Sequence, residues 1–212
     1  MFDNRYDQRV KNALGLTAFI LAGGKSSRMG LDKAFLQLGE ETLLARALRL
    51  AGAVTEDIRI VGNATKFSAL GQVVEDIYRD QGPLSGIHAA LSGSQTELNL
   101  VLAIDLPFMD TDFLNYLLRR ARHSEAIVTL PRVAERLQPL CAIYRRAFAA
   151  VAEESLRNGK NKIDSLFAKV GTCVIEEQEL THGGFSPAIF RNLNTPDDLE
   201  KARSSQLEPS AE

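Results

Sequence analysis

With 212 residues, 45% of them hydrophobic and 25% charged, the chain has the length and make-up of one soluble α/β domain with a substantial core. Its 25 lysines and arginines against 27 aspartates and glutamates leave a net charge of −2, spread without a basic run or stripe. That balance excludes a role in coating nucleic acid or lying on a membrane surface. No apolar run approaches the roughly 18 residues of a membrane span, and the opening MFDNRYDQRVKNALGL lacks the apolar centre of a signal peptide. Cys141 and Cys173 stand far apart, outside any CxxC pattern and away from histidine, as expected of reduced thiols in a cytoplasmic protein.

Residues 1–16 are polar and read as a flexible extension, 17–205 as a single domain and 206–212 as a polar tail. Residues 18–21 predict a buried first strand that breaks at Gly23-Gly24 into a turn gathering Lys25, Arg28 and Lys33. Leu43, Leu44, Ala47, Leu48 and Ala51, at three- and four-residue steps, predict a helix over 42–53. A strand at 58–61 leaves through the turn Gly62-Asn63, and a short strand at 72–75 delivers Asp76. In YRDQGPLSGI, Gly82 frees the backbone and Pro83 suits the first turn of a helix that continues over 85–91. LNLVLAI, residues 98–104, is the unbroken apolar run of a central strand covered on both faces, and it stops abruptly at Asp105-Leu106-Pro107.

A helix over 111–122 and a strand at 126–130 follow, then a charged loop at 132–136, a strand at 139–144, and helices at 148–156 and 163–168. Strands are expected at 172–175 and 188–191, joined through His182-Gly183-Gly184. Thr195, Pro196 and Asp197-Asp198 have the pattern of a helix start, with the helix ending by about Ser205. The alternation of strand and helix points to a doubly wound, mostly parallel sheet.

A glycine turn after a buried strand, with cations beside it, suits a polyphosphate, because backbone N–H groups there form a concave donor array. Two familiar phosphate motifs are excluded. Gly24-Lys25-Ser26 mimics the tail of a P-loop, but the required earlier glycine falls on Phe19, and Gly23, Gly24 and Gly30 do not make GxGxxG. Asp105, at the carboxyl end of a central strand, lies where open α/β sheets bind ligands. The competing readings of the two carboxylates are a turn cap for Asp105 and a solvated strand end for Asp76. His88, His123 and His182 carry no pattern of a site.

LAGGKSSRMGLDK, VVEDIYRDQGPLSGI, AIDLPF and NLNTPDDL, in that order along residues 17–203, together with QPLCAIYRR, resemble the molybdenum cofactor guanylyltransferases within the nucleotidyltransferase superfamily. The resemblance implies a three-layer α/β/α sandwich like that of the nucleotide-diphospho-sugar transferases. It implies transfer of GMP from GTP to the terminal phosphate of molybdenum-molybdopterin, giving the guanine dinucleotide cofactor and pyrophosphate. Such an in-line displacement at the α-phosphorus needs charge neutralisation, a metal and two aligned substrates, and no protein nucleophile.

The residues assigned to it are Arg28, Lys33 and Asp105 as the catalytic set, with Asp105 also the ligand for the expected Mg²⁺. Leu21, Ala22, Gly23, Gly24, Lys33, Asn63, Asp76, Gly82, Gly86 and Asp105 are assigned to the nucleotide, and Asn192 and Asn194 to the acceptor side. Arg132, Arg136, Lys160 and Lys162 are further basic candidates for the acceptor, none of them preferred. Molybdoenzyme apoproteins or other cofactor-biosynthesis proteins are expected partners for handover; nucleic acid and membrane are not. The rival readings are a cytidylyltransferase acting on the same pterin, a sugar-1-phosphate nucleotidyltransferase, and a nucleotide- or pterin-binding carrier without catalysis.

Overall fold

The computed structural model describes residues 15–23 and 32–207. In chain order it contains strand β1 (Leu16–Leu21), a 3-10 turn at Lys33–Phe35, the hairpin of β2 (Gln37–Leu38) and β3 (Glu41–Thr42), helix α1 (Leu43–Gly52), β4 (Asp57–Val61) and α2 (Ala64–Phe67). There follow β5 (Gln72–Val74), α3 (Pro83–Gly93), β6 (Leu98–Ala103), α4 (Thr111–Arg122), β7 (Val128–Val133), β8 (Arg136–Leu137) and β9 (Cys141–Arg145). The chain continues through α5 (Phe148–Arg157), α6 (Asp164–Phe167), β10 (Thr172–Ile175), α7 (Glu177–His182), a 3-10 turn at Pro187–Phe190 and α8 (Pro196–Leu207).

The main sheet runs β10-β7-β9-β6-β1-β4-β5, with β8 paired to β7. β6, β1, β4 and β5 are parallel neighbours, as are β10 and β7, whereas β9 enters antiparallel between β6 and β7, and β8 is antiparallel to β7. The doubly wound, mostly parallel sheet expected from the alternation of elements is therefore present. β1 and β6 are buried along their whole length, which is why their sequences are apolar at nearly every position. Alternate residues of β1 supply two cores: Ala18 and Ile20 pack with α1, α4 and α8, whereas Phe19 and Leu21 pack with α3, α5 and α6. Helices thus cover both faces of the sheet.

Local chemistry sets the helix starts. Thr42 accepts the N–H of Ala45 at 3.1 Å to begin α1, and Asp110 accepts that of Phe113 at 2.6 Å to begin α4, each cap worth about 1 kcal/mol. α4 also carries Asp112 in its first turn and Arg119, Arg120 and Arg122 in its last, matching the helix dipole. Asn99, the polar residue inside β6, is fully buried, and its amide is satisfied by Ser94 and by the carbonyls of Thr96 and Tyr144.

Three expectations are corrected. Residues 188–191 form no strand: Pro187 and the Ser186 side chain, which accepts the N–H of Ala188, close a 3-10 turn that drives Ile189 and Phe190 into the core, Phe190 edge-on to Phe113. The charged segment at 132–136 is not a loop but the tip of the β7–β8 hairpin, turning at Ala134 (φ 47°) and Glu135 (φ 61°). That costly turn is held from the start of α7, where Glu177 accepts the N–H of Ala134 at 2.7 Å and the preceding Glu176 pairs with Arg132 at 3.0 Å. α7 itself, between β10 and the second 3-10 turn, stands where only a glycine loop was expected.

His88 lies in α3 as expected, only 3% exposed, edge-on to the Tyr78 ring. Its Nε2 meets Ser92 Oγ at 3.2 Å, while Nδ1 has no hydrogen-bond partner among the described residues. Burial lowers its pKa, with smaller effects from Glu153, which raises it, and Arg157, which lowers it further. Because the folded pKa lies below the unfolded value, the unfolded chain binds the extra proton. Stability is then full above the ordinary imidazole pKa of 6.5 and declines as pH falls from there through the folded value. Thermal midpoints measured between about pH 7 and pH 5 are expected to fall, and His88→Leu to flatten that part of the profile. An unchanged slope in the variant would assign the acid sensitivity elsewhere.

Candidate active site

Parallel strands β1, β4, β5 and β6 end on the same edge of the sheet and release their loops there, the position at which open α/β sheets gather ligand-binding residues. The end of β6 is the anchor. Ile104 N–H reaches the carbonyl of Leu21 at 3.4 Å, and the Asp105 carbonyl accepts the N–H of Leu193 at 3.0 Å. Arg46, from α1, donates to the Pro107 carbonyl at 3.3 Å, and the Arg191 guanidinium lies 4.3 Å from the centre of the Phe108 ring. The Asp-Leu-Pro-Phe turn is thereby clamped from two sides, with the Asp105 carboxylate left at the edge of the sheet.

Lys33 comes to that carboxylate from the 3-10 turn after the first loop. Asp32 caps the turn by accepting the N–H of Ala34 at 3.2 Å, and its other oxygen takes Lys66 Nζ at 2.7 Å. Phe35 rests against Phe67 of α2, with ring centroids 5.9 Å apart. Lys33 Nζ then stands 3.2 Å from Asp105 Oδ2 and 3.3 Å from Asn194 Oδ1. The Lys33 and Asp105 side chains are 17% and 23% exposed, so the pair is shielded yet reachable by a ligand. Asn194, assigned to the acceptor side, is thus in direct contact with the lysine assigned to the nucleotide.

A second group forms over β1, β4 and β5. Gly86, in the first turns of α3, allows that helix to approach the sheet closely. A Cβ there would lie 3.3 Å from Leu21, 3.4 Å from Val61 and 3.6 Å from Asp76 Oδ1. Gly82 starts the helix with φ +73°, a conformation that favours glycine. Burial raises the pKa of Asp76, with the neighbouring Ser85 hydroxyl, which donates to the Tyr78 carbonyl, acting the other way.

A carboxylate whose folded pKa exceeds its unfolded one weakens the fold as pH rises, and the penalty is complete above the folded value. Asp76→Asn is therefore expected to raise the thermal midpoint at pH 7, with the gain vanishing below the unfolded pKa near 3.8, and to weaken nucleotide binding. Melting curves and nucleotide titrations of the same variant test both halves. A variant destabilised at pH 7 would show that the charged carboxylate supports the fold.

The structure adjusts some of the assigned contributions. Gly23 N–H donates to the Val61 carbonyl at 3.1 Å, as Ala22 N–H does at 3.0 Å, so Gly23 shapes the turn without offering the free phosphate donor expected of it. Asn63 is exposed, and its side chain caps α2 by accepting Lys66 N–H at 3.2 Å. Asn192 is exposed beside the buried Leu193. Gly24, Lys25 and Arg28 lie outside the described residues. Arg46, Arg191 and Asp198 were not assigned from sequence; only the Thr195-x-x-Asp198 spacing hinted at the last of them.

Among the described residues no group of three or more metal-ligating side chains occurs, and no helix is long and apolar enough to cross a membrane.

The MobA-like NTP transferase domain matches residues 18–173 of the chain. A probable molybdenum cofactor guanylyltransferase of Clostridium perfringens is 39% identical over 188 residues, covering 87% of this chain and 94% of that protein. The molybdenum cofactor guanylyltransferase of Syntrophotalea carbinolica is 35% identical over 191 residues, covering 88% and 90%. Among solved structures, molybdopterin-guanine dinucleotide biosynthesis protein A of Archaeoglobus fulgidus superposes with a TM-score of 0.79 at 25% identity, covering 90% of this chain and 98% of that one.

Proposed function

The chain belongs to the MobA-like NTP transferase family, and from that premise we propose that it transfers GMP from GTP to the terminal phosphate of molybdenum-molybdopterin. The observation that carries the reading is the Lys33–Asp105 pair, 3.2 Å apart at the carboxyl edge of the sheet, in a chain with guanylyltransferases as relatives. An oxygen of the acceptor's terminal phosphate attacks the α-phosphorus of GTP in line, a new P–O bond forms, and pyrophosphate leaves with the electrons of the old one. Lys33 neutralises charge on the phosphate oxygens as it develops, and the helix start at Gly82 with Asp76 holds the nucleotide beside Leu21, Ala22 and Gly23.

The residues present suit a magnesium ion that arrives with the triphosphate. Mg²⁺ keeps several waters and binds through one or two carboxylates plus substrate phosphates. One accessible carboxylate at Asp105, without a larger acidic cage among the described residues, is a donor set of that kind. When bound, the ion adds Lewis-acid charge neutralisation at the phosphates. We also propose that a bulky, labile product is passed directly to a molybdoenzyme apoprotein or another protein of the same biosynthesis.

The test is pyrophosphate release with Mg²⁺, comparing GTP with CTP, with and without molybdenum-loaded pterin. Release that requires the pterin and occurs with GTP alone is the expected result. Release with CTP alone would overturn the base assignment, and none with either nucleotide would favour a carrier.

A further inference from the structure

We infer that Asp198, at the start of α8, is a positioning residue that sets Lys33 against Asp105 by fixing Asn194; the catalytic meaning of this rests on the nucleotidyl-transfer reading above. Asp198 Oδ2 accepts two backbone N–H groups, those of Asn194 and Thr195, each at 2.9 Å, while Thr195 Oγ1 accepts the N–H of Asp198 at 3.1 Å. One residue earlier, Leu193 is 1% exposed and its N–H is bonded to the Asp105 carbonyl at 3.0 Å.

Residue 194 is therefore held at its own N–H by Asp198, between a buried leucine tied to Asp105 on one side and a capped helix start on the other. Its side-chain oxygen, so placed, takes Lys33 Nζ at 3.3 Å. The same segment is joined to the lysine's arm a second time, where Arg203 donates to the Gln37 carbonyl at 3.0 Å. The carboxylate is held ionised by the N–H groups of Asn194 and Thr195 and the Thr195 hydroxyl, which lower its pKa.

An ordinary helix cap would contribute to stability alone and would act independently of Asn194. A positioning residue gives a different pattern. Asp198→Ala is expected to lower kcat for GMP transfer about tenfold, a loss below the roughly hundredfold cost of a full 1 Å misplacement, with a smaller rise in KM for GTP in the same direction as that of Lys33→Ala. Asp198→Asn, whose amide oxygen still accepts both N–H groups, is expected to restore most of the rate. In an Asn194→Ala background, Asp198→Ala is expected to cost nothing further.

A second readout does not need the reaction. The rate at which Lys33 is acetylated by a small amine-reactive acyl donor such as acetic anhydride, followed by peptide mass spectrometry, is expected to change several-fold in Asp198→Ala, to return in Asp198→Asn, and not to change further when Asn194 is already alanine. An equal loss of rate in both backgrounds, or a drop in thermal midpoint with unchanged kcat and unchanged Lys33 reactivity, would reduce Asp198 to a helix cap. If the wild-type protein transfers no GMP while Lys33 reactivity follows the pattern above, the functional reading fails and the positioning role stands.

Discussion

Asp105→Ala is expected to lower GMP transfer by about 10²–10³-fold, the roughly 3–4 kcal/mol lost when a preorganised charge contact at a transition state is removed. The size follows from two losses at one position. The proposed metal loses its protein ligand, and Lys33 Nζ loses the carboxylate 3.2 Å away that helps to hold it in place. The fold should survive the change, because Asp105 joins the rest of the protein through its backbone carbonyl, bonded to Leu193 N–H, and that bond does not depend on the side chain. Asp105→Asn sharpens the test: it keeps the shape and a polar oxygen while removing the charge, and it should be nearly as slow as alanine. Steady-state rates across a Mg²⁺ titration, with melting curves alongside, check this. Near-normal turnover at saturating Mg²⁺ would remove Asp105 from the chemistry.

Lys33→Ala is expected to lower kcat/KM for GTP by about 10²-fold, raising KM and lowering kcat together. A cation at the triphosphate contributes to both the ground state and the transition state, so binding and rate should both respond. Lys33→Arg should recover little. Asp105 and Asn194 receive the compact ammonium at 3.2 and 3.3 Å, and a longer, planar guanidinium presents its donors in a different, fixed geometry. The alanine variant also leaves the Asp105 carboxylate, 23% exposed, without that cation, so a small loss of thermal stability should accompany the kinetic loss. Equilibrium GTP binding and single-turnover transfer separate the two contributions. Unchanged affinity together with an unchanged rate would refute the role of Lys33.

Much of this site was legible in the residues, and the part that was not has physical causes. The abrupt end of LNLVLAI at Asp105 places a carboxylate at the edge of the sheet, and the turn chemistry of Gly82-Pro83 marks a helix start. That Lys33 would meet Asp105, 72 positions away, and Asn194, 161 away, is a tertiary outcome that no local pattern encodes. The orientation of β9 was hidden for a similar reason: CAIYR is a short apolar run, and such a run does not reveal whether its strand enters a sheet parallel or antiparallel.

The β7–β8 hairpin is not legible in the sequence because its turn residues are Ala134 and Glu135 rather than the glycine or asparagine usual at positive φ, and the partners that hold it come from the start of α7. At 188–191 the apolar pair Ile189-Phe190 has the pattern of a strand, while the stronger signal is Ser186-Pro187, a cap and a fixed φ that begin a tight helical turn.

The most direct test of the central claim is a single-turnover reaction with GTP labelled in its α-phosphate, excess enzyme, Mg²⁺ and molybdenum-loaded pterin. The label should appear in a pterin guanine dinucleotide, with unlabelled pyrophosphate released in equal amount, and both should form about 10²–10³-fold more slowly in Asp105→Asn. Label left in GTP, or released as free GMP whether or not pterin is present, would contradict the account.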